Sequence, residues 1–249
     1  MPTADVRIVD DAEDLAARVA REVALVLDSA VAQHGFASIV LAGGRTPHGV
    51  YEHIAATRRR DVAWDHVHFY WGDERHVPAD DDRSNYRMAC DALLDALPVR
   101  REHVHPMPTG VAPEQAAEEY ERTLRAHFGT DWPTFDLVLL GVGADGHTAS
   151  LFPGAAALGE FRRWVVATTA PVEPHERLTL TVPALTHGRS VFVLATGAAK
   201  ADAVRCGLGS TSDPRCPVSF MATTSGRLVW WLDGAAAAHL SNQDRGEAQ

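Results

Sequence analysis

The sequence predicts an α/β fold in which a mainly parallel sheet is covered by helices on both faces. Short apolar runs rich in branched residues recur along the chain, and segments with apolar residues at helical spacing separate them. No repeat, low-complexity tract or long linker interrupts this alternation. The 249 residues read as one domain over 1–249, with room for a small lobe around 160–185.

The first strand starts at about Val6. From Asp10 to His34, the residues Leu15, Val19, Val23, Val26, Leu27 and Val31 fall on one helical face; Asp10 and Glu13 form a capping pair, and Gly35 stops the helix. SIVLAG (38–43) is the next strand, then come a helix from Pro47 to about Arg60 and the strand VHFYWG (67–72). A helix from about Ser84 to Ala96 leads to a strand at VHPM (104–107), and a helix from Pro113 to Phe128 precedes FDLVLLG (135–141). Later strands are WVVAT, RLTLT, SVFVLAT and RLVWWL, with helices near Ala198 to Cys206 and at Ala235 to Leu240. Sheets of this kind bind ligands beyond the carboxyl ends of their strands, so the loops after strands hold the candidates.

Composition narrows the partners. A net charge of −10 without any Lys/Arg block argues against nucleic acid and anionic membranes. No apolar run approaches the roughly 20 residues of a membrane span, and MPTADVRIVD lacks the regions of a signal peptide, so the chain reads as cytoplasmic. Cys90, Cys206 and Cys216 are scattered, with no C-x-x-C, and read as reduced packing groups. His66-x-His68 and His103-x-His105 each share a strand face but have no third ligand at a recognised spacing, so no metal is expected. The run Asp80 to Asp82 lacks the Gly and Glu of an EF-hand loop and reads as a solvated turn. Trp230 and Trp231 read as packing groups.

Three loops carry chemistry. In LAGGRTPHG, Gly43 and Gly44 end a strand, Thr46 stands at an N-cap and Pro47 at the first helical position. Exposed amides at a helix start, with the Arg45 fork beside them, suit the phosphate of a small substrate; a plain strand-to-helix turn fits the same residues. The loop lacks the Lys of a nucleotide-binding P-loop. WGDERHVP sets Asp73, Glu74, Arg75 and His76 at the same end of the sheet. Arg75 suits a substrate oxygen or phosphate with Asp73 or Glu74 holding it in place, and a solvated ion-pair cluster fits equally.

The third loop, GVGADGHTASLFPG, carries G-x-G-x-x-G at Gly141, Gly143 and Gly146. A dinucleotide cradle needs a long helix next and an acidic residue about 20 positions on, at the end of a second strand. Here Pro153 and Gly154 limit any helix from His147 to about two turns, and Glu160 precedes the next strand. The loop therefore reads as a device for placing Asp145 and His147, the imidazole as a general base and the carboxylate as its orienting partner. Capping by His147 and a turn held by Asp145 is the alternative.

Together these loops resemble those of the 6-phosphogluconolactonase family, and the resemblance covers nearly the whole chain. SNYRMA, ERLTLT with Arg177 and ATGAAK with Lys200 are similar to further family segments. The resemblance implies an open Rossmann-like sheet without a cofactor, shared with glucosamine-6-phosphate deaminases and ribose-5-phosphate isomerase. It implies hydrolysis of 6-phospho-D-glucono-1,5-lactone in the oxidative pentose phosphate pathway, by a monomer or small homo-oligomer whose partner is that sugar-phosphate lactone. It also implies His147, Asp145 and Arg75 as catalytic residues, with Gly43, Gly44, Arg45, Thr46, Asp73, Arg177 and Lys200 around the substrate and its phosphate. Deaminases usually continue their Asp-Gly-His into Asn-Glu-Pro, whereas this chain continues Ser150-Leu151-Phe152-Pro153. No G-x-S-x-G elbow is present, so Ser150 is not expected to be a nucleophile. A sugar-phosphate sensor that regulates transcription would need a DNA-binding segment, and a first strand near Val6 leaves no room for one before it. The stretch CPVSFMATTSG (216–226) is less regular than the family pattern.

Overall fold

The computed structural model describes residues 4–129, 131–209, 211–221 and 226–241. The chain runs β1 (Asp5–Val9), α1 (Ala12–His34), β2 (Ala37–Leu41), α2 (Arg45–Thr57), β3 (Val67–Trp71), β4 (Asp73–Arg75), α3 (Asn85–Ala92), α4 (Pro113–Phe128) and β5 (Leu137–Gly141). It continues through β6 (Val165–Thr169), β7 (Glu176–Leu180), α5 (Val182–Thr186), β8 (Ser190–Ala195), α6 (Ala201–Gly207) and β9 (Arg227–Asp233).

A six-stranded sheet has the order β1-β9-β8-β5-β2-β3, with every pairing parallel. All five residues of β2 are buried. Because successive side chains of a strand point to opposite faces, such a strand is covered on both sides, as the unbroken apolar runs predict. β2 pairs with β3 on one side and with β5 on the other, so the connections reverse direction here. The crevice beyond the carboxyl ends of β2 and β5 is therefore the place where open α/β sheets take ligands.

A second sheet, antiparallel, has the order β4-β7-β6. It is the lobe expected near 160–185, enlarged by a strand from the Asp73–Arg75 stretch that reads as loop in sequence. Gly72 joins the two sheets: its N–H donates to the Leu41 carbonyl at 3.0 Å, and its own carbonyl accepts from Leu180 N–H at 2.8 Å.

Helix α1 follows its apolar pattern, and Leu15, Val19, Val23 and Leu27 are fully buried. Each such burial stabilises the fold by roughly 1.5–3 kcal/mol. Its cap is Asp11, one residue later than expected, which accepts from the Glu13 and Asp14 amides; Gly35 ends it at φ 83°. Helix α2 ends at Thr57, short of Arg60.

The segment 84–96 divides into α3, capped by Ser84, and a 3-10 turn at Leu94–Ala96. VHPM contributes only a bridge between Phe69 and Val104. Ala198–Lys200 is a 3-10 turn leading into α6. Residues 235–240 form hydrogen-bonded turns in place of a helix: the Asp233 carboxylate accepts from Ala236 N–H at 2.7 Å, but beyond it the Ala238 and Leu240 N–H groups donate to carbonyls three residues back, those of Ala235 and Ala237. Such a short stretch also gains little from helix propagation. In the irregular segment 216–226, Pro217–Phe220 is a 3-10 turn and 222–225 lie outside the described residues. No helix among the described residues is long and apolar enough to cross a membrane.

Candidate active site

A cavity of about 340 Å³ opens beyond the carboxyl ends of β2 and β5. Gly43, Gly44, Arg45, Thr46, Asp73, Arg75, His147, Arg177 and Lys200 all line it. Of the predicted site residues only Asp145 stands back from the wall, behind His147.

The first loop leaves β2 through Gly43, packed so tightly that a Cβ there would lie 2.1 Å from the Asn85 side-chain oxygen. Gly44, at φ 98°, is the N-cap of α2 and supplies no side-chain acceptor. The helix starts at Arg45, earlier than Pro47, so Thr46 is inside the first turn and is not the cap. Its hydroxyl instead lies 2.7 Å from that of Thr196. The amides of the first turn thus face the cavity uncapped, a favourable end for an anion.

The second loop is organised by strand register. Arg75 stands directly opposite Arg177 in the β4–β7 pair, which puts two guanidinium side chains on one face. The Arg75 Nη1 donates to the Arg83 carbonyl and the Arg177 Nε to the Pro174 carbonyl, each at 2.7 Å. The expected pairing of Arg75 with Asp73 or Glu74 does not form. Both carboxylates are buried and have found other donors. Glu74 accepts from the amides of Arg75, Asn85 and Tyr86 at 2.7 Å each, and from the Ser84 hydroxyl at 3.2 Å. Burial pushes Glu74 up to about 7, against the pull of those three amides. Asp73 accepts the Ser150 hydroxyl at 2.7 Å, and its carbonyl accepts Asn85 Nδ2 at 2.9 Å.

Arg45, Arg75, Arg177 and Lys200 therefore converge on the cavity with no carboxylate in an ion pair with any of them among the described residues. Burial first, and then the charge of Arg75, lowers Arg177. Burial and then Arg45 lower Lys200, against the attraction of Asp145. In a chain of net charge −10, such a concentration of unpaired cations fits a multiply charged anion.

The third loop folds back on itself. Gly143 N–H donates to the His147 carbonyl at 2.8 Å, and the Thr148 hydroxyl to the Gly141 carbonyl at 2.8 Å. A Cβ on Gly143 would lie 2.0 Å from His147 Nδ1 and 2.4 Å from Asp145 Oδ1, so only glycine lets this pair close over the backbone. His147 Nδ1 is 2.6 Å from Asp145 Oδ1, which leaves Nε2 as the ring nitrogen open to a reactant. That hydrogen bond holds Asp145 below its ordinary value in spite of burial. No helix follows His147, within the two-turn limit that Pro153 and Gly154 set. A bridge between Thr148 and Leu151 takes its place, with Ala149 at φ 48°, a left-handed conformation typical of strained functional loops. Ser150 is fully buried and directed at Asp73.

Four further residues shape the site in ways that their sequence motifs do not assign. Asn85 and Ser150 fix Asp73, Thr196 meets Thr46, and Gly143 makes room for the dyad. Each acts through a partner brought close only by folding, apart from Gly143, whose place in the loop is visible while its clash is not.

A family model described as glucosamine-6-phosphate isomerases/6-phosphogluconolactonase matches residues 10–230. The chain is 39% identical to the 6-phosphogluconolactonase of Mycobacterium leprae over 96% of this chain and 99% of that one. It is 40% identical to the 6-phosphogluconolactonase of a Synechocystis species, over 86% of this chain and 89% of the relative. The solved structure of 6-phosphogluconolactonase from Trypanosoma brucei matches with a TM-score of 0.86 at 31% identity, covering 96% of this chain and 99% of that one.

Proposed function

The chain belongs to the glucosamine-6-phosphate isomerase/6-phosphogluconolactonase family, and from that premise we propose that it hydrolyses 6-phospho-D-glucono-1,5-lactone to 6-phosphogluconate. The observation that carries the reading is the His147–Asp145 dyad at one wall of a cavity whose other walls hold four unpaired cations.

In this mechanism His147 Nε2 takes a proton from water as the water oxygen adds to the lactone carbonyl carbon. Asp145, ionised and hydrogen-bonded to Nδ1, steadies the imidazolium that forms. Arg75, which lines the same cavity, is assigned the stabilisation of the tetrahedral oxyanion. Collapse breaks the bond to the ring oxygen, which takes the proton from the His147 imidazolium and becomes a free hydroxyl; the carboxylic acid so formed then ionises, releasing the second proton of the water to solvent and leaving a carboxylate. Gly43, Gly44, Arg45, Thr46, Arg177 and Lys200 hold the 6-phosphate through the α2 amides and three cations. Asp73 also lines the cavity and, as an acceptor, is assigned to the sugar hydroxyls rather than the phosphate.

The test is acid release from freshly generated lactone above the spontaneous background, with glucosamine 6-phosphate as a parallel substrate. Accelerated lactone loss by the wild type and not by His147→Ala is expected. Ammonia release from the amino sugar, or no acceleration of lactone loss, would overturn the assignment.

A further inference from the structure

Four histidines gather toward the amino end of the edge strand β3, apart from the chemistry above. His68 lies on β3, His103 and His105 on the segment that bridges to it, and His127 in the last turn of α4. His66, expected to share a face with His68, instead has its Nδ1 3.0 Å from the Gly35 carbonyl. His68 Nδ1 and His105 Nε2 are 3.1 Å apart. His127 supplies the third nitrogen that neither His-x-His pair has nearby in sequence, and the nitrogens of His68, His105 and His127 all lie within 4.8 Å of one another. The His103 ring stacks on His68 at 4.0 Å, and its Nδ1 is buried with no hydrogen-bond partner. No carboxylate is hydrogen-bonded to any of these rings among the described residues.

We propose that His68, His105 and His127 form a binding site for a divalent first-row transition ion such as zinc. Imidazole nitrogens suit such ions, and three histidines plus a solvent position complete a tetrahedral shell. Two nitrogens at the usual 2.0–2.1 Å from a tetrahedral zinc stand about 3.3 Å apart, close to the separation already present between His68 and His105. The N–H that bridges this pair in the metal-free protein moves to the other nitrogen of its ring by exchange with solvent, so that both rings offer lone pairs. His127 is exposed and reaches inward by rotation about its own side-chain bonds. The ion would tie β3, the 101–105 segment and the end of α4 together at a point remote from the hydrolytic dyad.

Titration of the untagged full chain with cobalt(II), followed by its visible ligand-field absorption and by displacement with zinc, tests the site. One ion per chain is expected, with His147→Ala binding like the wild type. His127→Ala and His105→Ala each weaken binding by at least about tenfold, since even outer-shell changes cost 10–100-fold in metal affinity. The exposed position of His127 keeps that variant folded, as circular dichroism would verify. Affinity no better than millimolar in the wild type, equal affinity in His127→Ala, or loss of the signal in His147→Ala would each overturn the proposal.

Discussion

His147 and Asp145 are two residues apart, and only a sharply folded loop brings Nδ1 within 2.6 Å of Oδ1. That geometry makes the dyad sensitive to small changes. Replacing His147 by Ala should lower kcat by about 10²–10⁴ with little change in KM, the signature of a lost general base. Asp145→Asn should lower kcat by about 10²-fold or more, because the ring loses the carboxylate that orients it; an unchanged kcat would remove Asp145 from the orienting role. Gly143→Ala would force a Cβ onto His147 Nδ1 and Asp145 Oδ1. We expect it to lose up to about 10²-fold in kcat by misplacing the ring, with an unchanged circular dichroism spectrum. The dyad can be read in sequence because both partners lie within one motif. Asn85 and Thr196 could not be read, since their partners Asp73 and Thr46 are 12 and 150 residues away.

At the scale of elements, register decides what the loops do. The stretch Asp73–Arg75 has no apolar alternation, so nothing local marks it as a strand; pairing with β7 makes it one and sets Arg75 against Arg177. Loss of the Arg45 or Arg177 guanidinium should raise KM about tenfold to a hundredfold, in keeping with 1.5–3 kcal/mol for a hydrogen bond to a charged group, while kcat changes little. The small sheet is anchored by Glu121 on α4. Its carboxylate accepts from Arg125 and from Arg163 at 2.8 Å each, and from Trp164 N–H at 3.0 Å. Burial alone would raise this carboxyl, but the donors outweigh it and hold it below its ordinary 4.5. The contribution is therefore complete above pH 4.5 and fades as the pH falls through the lowered folded-state value. Glu121→Ala should cost about 3 kcal/mol, the low end for a broken buried pair because both arginines remain half in solvent. Glu121→Gln should flatten the acid side of the stability profile, measured by urea unfolding as a function of pH.

For the whole molecule, the alternation of elements was legible, because β-branched runs and helical spacing are local properties of the chain. The strand order was not, because the reversal at β2 depends on which neighbours the chain finds on each side. The lobe was visible only in outline, since one of its three strands comes from nearly a hundred residues earlier than the others. Inorganic phosphate should bind the cation-lined cavity and compete with substrate. At ten times its Kd it should stabilise the fold by about 1.4 kcal/mol, a rise in Tm of about 3–6 °C for a chain of this size. Arg45→Ala should shrink that rise, and an equal shift in the variant would place the anion elsewhere.

The cavity wall includes Gly43, Arg75, His147, Arg177 and Lys200, and the Asp73 carboxylate ties loops 77 residues apart. Its assembly is thus a problem of non-local closure, in which the anion site exists only after most of the chain has found its place. A ligand that needs the finished site cannot help the search for it. Phosphate should leave the refolding rate of the chain nearly unchanged and slow its unfolding, so that the protein's lifetime, more than its speed of formation, follows the concentration of its ligand.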